Sequence, residues 1–229
     1  MKIDLGCTWS GARTDAYWNQ LNLVELQEDA IDSVRERTLR KWRKEAPDKA
    51  RFSVVASAAL AATGFVGPEA LSCWEKTCAR AALLEAETII LRTPGSFRPT
   101  AENRQRLIDF IKSHGQSAPD VAWWAEGLWE GQPEEQMRVC EDAGMTPVVD
   151  PLGLDDDEPI PGGPTFYWRL LGRRGLRGGF SDYQLEQLVE ACLERRAGSI
   201  FFSASDMFND ARRFAMLLDY ARSDEDSED

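Results

Sequence analysis

The sequence has a single histidine, His114, among its 229 residues. A Ser-His-Asp triad, a Cys-His pair and a histidine-ligated zinc site all need this residue type. His114 precedes Gly115 at the predicted end of a helix, on the side of the fold away from the expected functional face. We therefore expect none of these three chemistries. We expect His114 to lie at the helix C-terminus, where the helix dipole favours it.

Cysteines are few, and their spacing fits neither a disulfide framework nor a zinc site. The five are Cys7, Cys73, Cys78, Cys140 and Cys192. This odd number fits a reducing compartment, where buried thiols behave as small hydrophobic groups.

No apolar run approaches the roughly 18 to 20 residues of a membrane-spanning helix, and no signal-peptide core begins the chain. We expect a cytoplasmic protein without a membrane partner.

Basic residues are outnumbered, since 27 Lys and Arg oppose 39 Asp and Glu and leave a net charge of −12. Nucleic-acid binding needs a basic footprint, so we expect no nucleic-acid partner. Residues 223–229 are mostly acidic and are predicted to form a disordered tail. The predicted helix 29–46 is rich in basic residues, but interleaved acidic residues are typical of a solvated helix face.

Eight short apolar or β-branched runs recur along the chain. They are residues 2–7, 21–27, 52–57, 88–93, 121–126, 146–150, 166–172 and 199–205. Several are continuously apolar, as in Thr88-Ile89-Ile90-Leu91, which favours strands covered on both faces.

Helical patterns separate most of these runs and have recognisable ends. Gly67-Pro68 begins one helix, Thr100 can cap another, and Ser181 and Gln184 have capping-box spacing. Further helices are predicted at 133–143 and 207–222. The first crossover is short, and residues 151–165 form an acidic Pro/Gly loop. The pattern predicts a TIM-type (β/α) barrel of eight parallel strands, with some short or missing crossover helices, as a single domain over residues 1–222. A doubly wound open sheet is the alternative.

Several landmarks, taken in order from about Ile3 to Leu218, resemble the YecE-like family, also called domain of unknown function 72. They are Ile3-Asp4-Leu5-Gly6 with Trp9, Val24-Glu25, Trp42, Pro47, Phe52, Pro94-Gly95-Ser96-Phe97, Trp129, Tyr167-Trp168-Arg169-Leu170 and Phe202. The resemblance implies a TIM-type barrel, but it carries no agreed reaction.

Departures from that family concern the polar residues at the strand ends. The family's characteristic polar residues are replaced here by Gln27, Val55, Arg92, Trp123, Ala125, Leu171, Ser203 and Ala204. Only Glu25 and Arg169 match. If Arg169 points into the barrel, alternation sends Tyr167 inward too, pairs Glu25 with Gln27, and places Trp123 where family members keep a charged pair.

Arg169 and the segment after it carry the leading hypothesis. Residues 172–179 read Gly-Arg-Arg-Gly-Leu-Arg-Gly-Gly and precede the predicted helix at Ser181. In many TIM barrels this region holds phosphate, because backbone N–H groups and a helix N-terminus point there. The expected ligand residues are Arg169, Arg92, Gln27, Tyr167, Arg173 and Arg174. A mobile, solvated loop is the alternative interpretation of the segment.

We therefore expect non-catalytic or weakly catalytic binding of a small anionic or phosphorylated ligand, with no cofactor and no metal. A hydrolase or isomerase acting on a phosphorylated compound is one alternative, with Glu25 or Asp150 as general base. Glu25 could instead form a structural ion pair with Arg169 or Arg92, and we favour that pair over a catalytic carboxylate. A protein-interaction module with a filled barrel is the third hypothesis.

Overall fold

The computed structural model describes residues 2–7, 15–154, 160–172, 179–203 and 206–228. Strands lie at the positions that the apolar runs predict, within about two residues at most ends. They are β1 (Lys2–Cys7), β2 (Leu23–Leu26), β3 (Arg51–Val55), β4 (Thr88–Thr93), β5 (Asp120–Ala125), β6 (Thr146–Val149), β7 (Thr165–Leu170) and β8 (Ala197–Phe202).

These strands follow one another in chain order around a closed barrel. Every strand pair for which a register is defined is parallel. The TIM-type α/β barrel is therefore confirmed and the open sheet is not found. Continuous apolar runs form these strands because each is covered on both faces.

Helices occupy most of the crossovers. They are α1 (Asp15–Gln20), α2 (Glu28–Ser33), α3 (Glu36–Glu45), α4 (Ala58–Ala62), α5 (Gly67–Leu84), α6 (Ala101–His114), α7 (Pro133–Ala143), α8 (Asp182–Leu193) and α9 (Met207–Glu228). Among the described helices, none combines the length and apolar character that crossing a bilayer requires.

Two helices differ from their predicted bounds. The segment predicted as one helix over 29–46 is two, because Val34 and Arg35 adopt extended backbone between them. The last helix continues to Glu228, whereas residues 223–229 were predicted to be a disordered tail. No glycine or proline interrupts residues 207–228, and the Ser223 hydroxyl donates to the Asp219 carbonyl in the preceding turn, so the chain has no local reason to leave the helix there.

The described parts of the crossover between β6 and β7 have little helix, as predicted. A single 3-10 turn (Pro151–Gly153) follows β6, and the described residues 160–164 contain no helix. The predicted caps are confirmed at Thr100, whose hydroxyl accepts from Asn103 N–H, and at Ser181, which forms the complete capping box with Gln184.

The chain, predicted from its sequence to be one domain, divides into two compact units. One, the terminal unit, comprises Met1–Val24 and Val149–Asp229; the other, the central unit, comprises Glu25–Val148. In the terminal unit, β7 and β8 pack against α8 and α9 through a buried cluster. Its members from these elements include Phe166, Trp168, Leu170, Ile200, Phe202, Leu185, Leu188, Phe214 and Leu218.

The central unit has an aromatic core of its own outside the strands. The Phe110 ring of α6 contacts the rings of Phe65 and Trp74, and Phe65 meets Phe97 edge to face at 5.2 Å. The Trp74 indole donates to the His114 carbonyl at 3.0 Å. His114 ends α6 as predicted, and its backbone carbonyl anchors the α5 side of this core.

Candidate functional site

The side chains of β7 separate onto two faces of the strand. Phe166, Trp168 and Leu170 belong to the cluster that packs on α8 and α9. Because successive side chains of a strand point to opposite faces, Tyr167 and Arg169 lie on the face turned away from these helices, the interior face in a barrel. Tyr167 and Arg169 are only 3% and 6% exposed.

Arg169 is held by an aromatic ring on the neighbouring strand. Its guanidinium carbon lies 5.3 Å from the centroid of the Phe201 ring, which is opposite Arg169 in the β7–β8 register. A guanidinium stays charged when buried, and an aromatic face stabilises the charge. The interior face of β7 therefore carries a fixed positive charge one residue before the strand ends.

Asp150 directly follows β6 and ties it to the end of β7. One carboxylate oxygen accepts from Leu152 N–H at 3.2 Å, and the other accepts from Leu171 N–H at 3.0 Å. Burial raises the pKa of Asp150, and the two backbone hydrogen bonds lower it in part. Through its two oxygens, Asp150 links two strand ends; its role as a general base stays a prediction.

The segment just before α8, near where the sequence predicts an anion, already binds a carboxylate of the chain itself. Asp210, in the first turn of α9, is fully buried and accepts from Phe180 N–H at 3.2 Å and from Arg213 at 3.0 Å. Arg213 also donates to the Phe180 carbonyl and pairs with Asp182. A side-chain Cβ at Gly179 would lie 2.4 Å from an Asp210 oxygen, so glycine is required there.

Burial and hydrogen bonding act in opposite directions on the pKa of Asp210. Burial raises the pKa of Asp210, while the Phe180 N–H and the Arg213 guanidinium lower it. The Asp182 carboxylate in turn raises the pKa of Arg213. A buried carboxylate with a backbone donor and a guanidinium is the arrangement that a bound phosphate would have at a helix N-terminus.

In the central unit, Glu25 and Gln27 lie on one face of β2, as the alternation predicts. The Gln27 amide donates to a Glu25 carboxylate oxygen at 2.6 Å, and Glu25 is fully buried. This hydrogen bond orients Glu25 and uses one of the two amide hydrogens of Gln27.

Arg92, near the end of β4, is enclosed by two carboxylates and an indole. It pairs with Glu126 at 2.9 Å and with Glu28 at 3.3 Å, and its guanidinium lies 4.6 Å from the centroid of the Trp124 ring. One positive charge thus meets two negative charges, so this cluster is net negative. Arg92 is consequently a weaker anion ligand than its position in the sequence indicates.

Trp123 lies on the opposite face of β5 from Trp124. Its ring meets Trp129 at 4.8 Å, its indole N–H donates to the Thr93 hydroxyl, and Gln136 of α7 donates to its carbonyl. Trp123 and Trp124 thus lie on opposite faces of β5, and Trp124 shares a face with Arg92. That Trp123 stands where family members keep a charged pair stays a prediction.

The segments after β4 and β5 are fastened to each other. The Trp129 indole donates to the Phe97 carbonyl at 2.6 Å. The backbones touch at Gly95 and Gly127, where a Cβ on Gly127 would lie 2.6 Å from the Gly95 Cα; Gly127 also has a φ of +73°, which favours glycine. These contacts hold together the two segments that follow Arg92 and Glu126 in the chain.

Two of the predicted ligand residues, Arg173 and Arg174, lie outside the described residues. Within the described ranges, no group of three or more His, Cys, Asp and Glu side chains is arranged to hold a metal ion.

Sequence reasoning missed Glu28 and Asp210. Glu28 directly follows Gln27, which was singled out, so its place in the chain was an available signal. Asp210 gave no such signal, because it lies 30 residues from Phe180 in the chain and only the folded structure brings the two into contact.

Comparison with known proteins places the fold. No protein-family model and no curated relative matches the sequence. A solved DUF72 family protein from Enterococcus faecalis V583 is 18% identical with a TM-score of 0.73, over 97% of this chain and 98% of that one. A second, from Thermotoga maritima MSB8, is 16% identical with a TM-score of 0.69, over 97% and 100%.

A more distant likeness is to endonuclease IV from Thermus thermophilus. It is 16% identical, with a TM-score of 0.59, over 95% of this chain and 99% of that one. The chain thus shares its barrel fold, along nearly its whole length, with DUF72 family proteins, as the landmark residues indicate. Likeness at this level of identity concerns the fold, which hosts many unrelated chemistries.

Proposed function

We propose, from a barrel fold shared with DUF72 family proteins, that this chain binds a small anionic or phosphorylated ligand at the C-terminal end of β7, with little or no catalysis. The observation that carries the proposal is Arg169, a permanent charge that is 6% exposed and stands on the interior face of its strand.

The position of Arg169 supports this assignment. Ligands of parallel barrels bind at the C-terminal ends of the strands, and Arg169 is the fifth of the six residues of β7. Its planar fork of donors matches carboxylate and phosphate oxygens in two-point contact. Tyr167, on the same face, adds a hydroxyl that can donate to a ligand oxygen.

Two other cationic groups lie among carboxylates of the chain: Arg213 pairs with Asp210, and Glu28 and Glu126 enclose Arg92. We centre the ligand on Arg169 and Tyr167 because both stand on the interior face of β7 toward its C-terminal end. Contributions from Gln27, Arg173 and Arg174, a cytoplasmic location and the lack of a nucleic-acid partner stay predictions.

The contacts of the candidate bases support weak or absent catalysis. Both oxygens of Asp150 accept backbone N–H groups, and Glu25 is fully buried and bound by Gln27. If the chain is instead a hydrolase or isomerase with Glu25 as its base, turnover would collapse in Glu25→Gln while ligand binding survived.

Thermal unfolding with inorganic phosphate, a sugar phosphate and a nucleotide tests the binding proposal. A ligand at ten times its Kd stabilises the folded state by about 1.4 kcal/mol, which for a chain of this length raises Tm by about 3–6 °C. Arg169→Ala should abolish the rise, whereas Arg92→Ala should keep it.

Because Arg169 is nearly buried, Arg169→Lys and Arg169→Gln accompany the alanine variant. Lysine keeps the charge and should retain weaker binding, and glutamine should lose it; titration calorimetry with the stabilising anion measures both. The proposal fails if no anion stabilises the wild-type chain, or if Arg169→Gln is stabilised as much as wild type.

A further inference from the structure

The outer face of α9 carries large apolar side chains at one helical spacing. Phe208, Met216 and Tyr220 are 39%, 66% and 69% exposed, and they recur at multiples of four residues. Arg212, also exposed, fills the remaining position of the series. Residues four apart lie on one side of a helix, so these four form a continuous stripe.

The opposite face of α9 holds the helix to its unit. Ala211, Phe214 and Leu218 are buried in the cluster with β7, β8 and α8. The Phe208 ring stacks at 6.0 Å on Tyr17, so Phe208 is partly covered from within the same unit. Met216 and Tyr220 are thus the centre of the exposed apolar surface.

The charge along this stripe differs from that of the whole chain. The chain carries −12, but the exposed positions from Phe208 to Ser223 contain one cation, Arg212, and one anion, Asp219. In the part of the chain that the structure describes, Arg212 has no ion pair, and Asp219 has only a 4.0 Å contact with Arg222. Together with the adjacent Asp219 the stripe is neutral, since Arg212 lies before Met216 and Asp219 lies after it.

We propose that the outer face of α9 binds a second copy of this chain, with the two α9 helices antiparallel and their Met216 side chains meeting at the two-fold axis. A patch with opposite charges on either side of its centre is self-complementary under two-fold rotation. Arg212 lies four residues before Met216 and Tyr220 four residues after it. In an antiparallel pair, each Arg212 therefore faces Tyr220 and Asp219 of the other copy.

Each of these contacts is favourable across a two-fold axis. Arg212 forms an ion pair with Asp219 of the other copy and stacks on the Tyr220 ring, while the two Met216 side chains bury each other. Neutrality of the stripe keeps like-charge repulsion low there, although both copies are acidic. A few side chains form a small interface, so we expect a reversible dimer with Kd in about the micromolar range.

Sedimentation velocity of the full chain at protein concentrations from about 1 to 200 μM tests the dimer. Arg212→Glu and Asp219→Arg, each alone, remove two symmetric pairs and create like-charge contacts, so each should raise the dimer Kd about tenfold or more. The double variant exchanges the charges and should restore dimerisation. Arg138→Glu, on an exposed position of α7, is the matched control and should leave Kd unchanged.

The proposal is overturned if the wild-type chain sediments as a monomer at every concentration. That result would overturn it even if the stripe were found to bind a different protein. It is also overturned if both single variants dimerise like wild type, or if the double variant stays as weak as the single ones. None of these residues lies on β7, so anion binding by Arg169 can succeed or fail independently.

Discussion

Removing the Asp210 carboxylate would leave a position for an anion beside the segment that precedes α8. In Asp210→Ala, Phe180 N–H loses its acceptor and Arg213 loses its buried partner. We expect a less stable protein that regains stability when phosphate is added, because the backbone donor and the guanidinium remain and face an empty position.

The size of the loss follows from the contacts. A hydrogen bond to a charged group contributes about 1.5–3 kcal/mol, and leaving a buried donor unsatisfied costs about 1–3 kcal/mol. Two facts reduce the net effect: Arg213 keeps its pair with Asp182, and burial already disfavours the charged form of Asp210, as its raised pKa shows. We expect a net loss of about 2–4 kcal/mol, or a Tm lower by about 4–16 °C.

Urea unfolding in a buffer without anionic ligands, with and without added phosphate, measures both effects. Phosphate at ten times its Kd should recover about 1.4 kcal/mol in Asp210→Ala and less in a variant that also carries Arg213→Ala. Glu190→Ala, an exposed position on α8, removes one negative charge elsewhere and should change stability by less than about 0.5 kcal/mol. A loss in Asp210→Ala as small as in this control would refute the reasoning.

Two further substitutions test the packing and titration of the terminal unit. Burial raises the pKa of Asp150, so the folded state binds this proton more tightly than the unfolded state, and the free energy of unfolding falls as pH rises through the raised pKa. In urea unfolding from about pH 4 to 8, Asp150→Asn should make this fall less steep. An unchanged slope would contradict the prediction. In Gly198→Ala the new Cβ would lie 2.5 Å from the Phe166 ring, so we expect a loss of about 1–3 kcal/mol, against almost none in Gly131→Ala, where a Cβ meets open space.

The strands and their order could be predicted because each is a buried parallel strand with its own apolar run. Thr88-Ile89-Ile90-Leu91 needs no partner to be recognised, and the β4 that contains it has the predicted bounds. The caps Ser181 and Thr100 could be predicted equally well, since each lies three residues from the backbone N–H that donates to it. Local signals of this kind survive folding because the tertiary contacts agree with them.

The faces of the strands were harder to predict. Trp123 and Trp124 are adjacent, equally apolar and both covered, so the sequence does not say which one shares a face with Arg92. The answer depends on the contact between the Trp123 and Trp129 rings, which only the folded chain brings together. Likewise, the break at Val34 within a periodic charged segment carries no glycine or proline to announce it.

The contact between the segments after β4 and β5 limits how this barrel can be varied. With the Gly95 and Gly127 backbones in contact and the Trp129 indole bound to the Phe97 carbonyl, lengthening one segment alone would displace the other. Engineering of this barrel should therefore randomise the two segments as a pair, and libraries that vary only one should yield mostly insoluble chains.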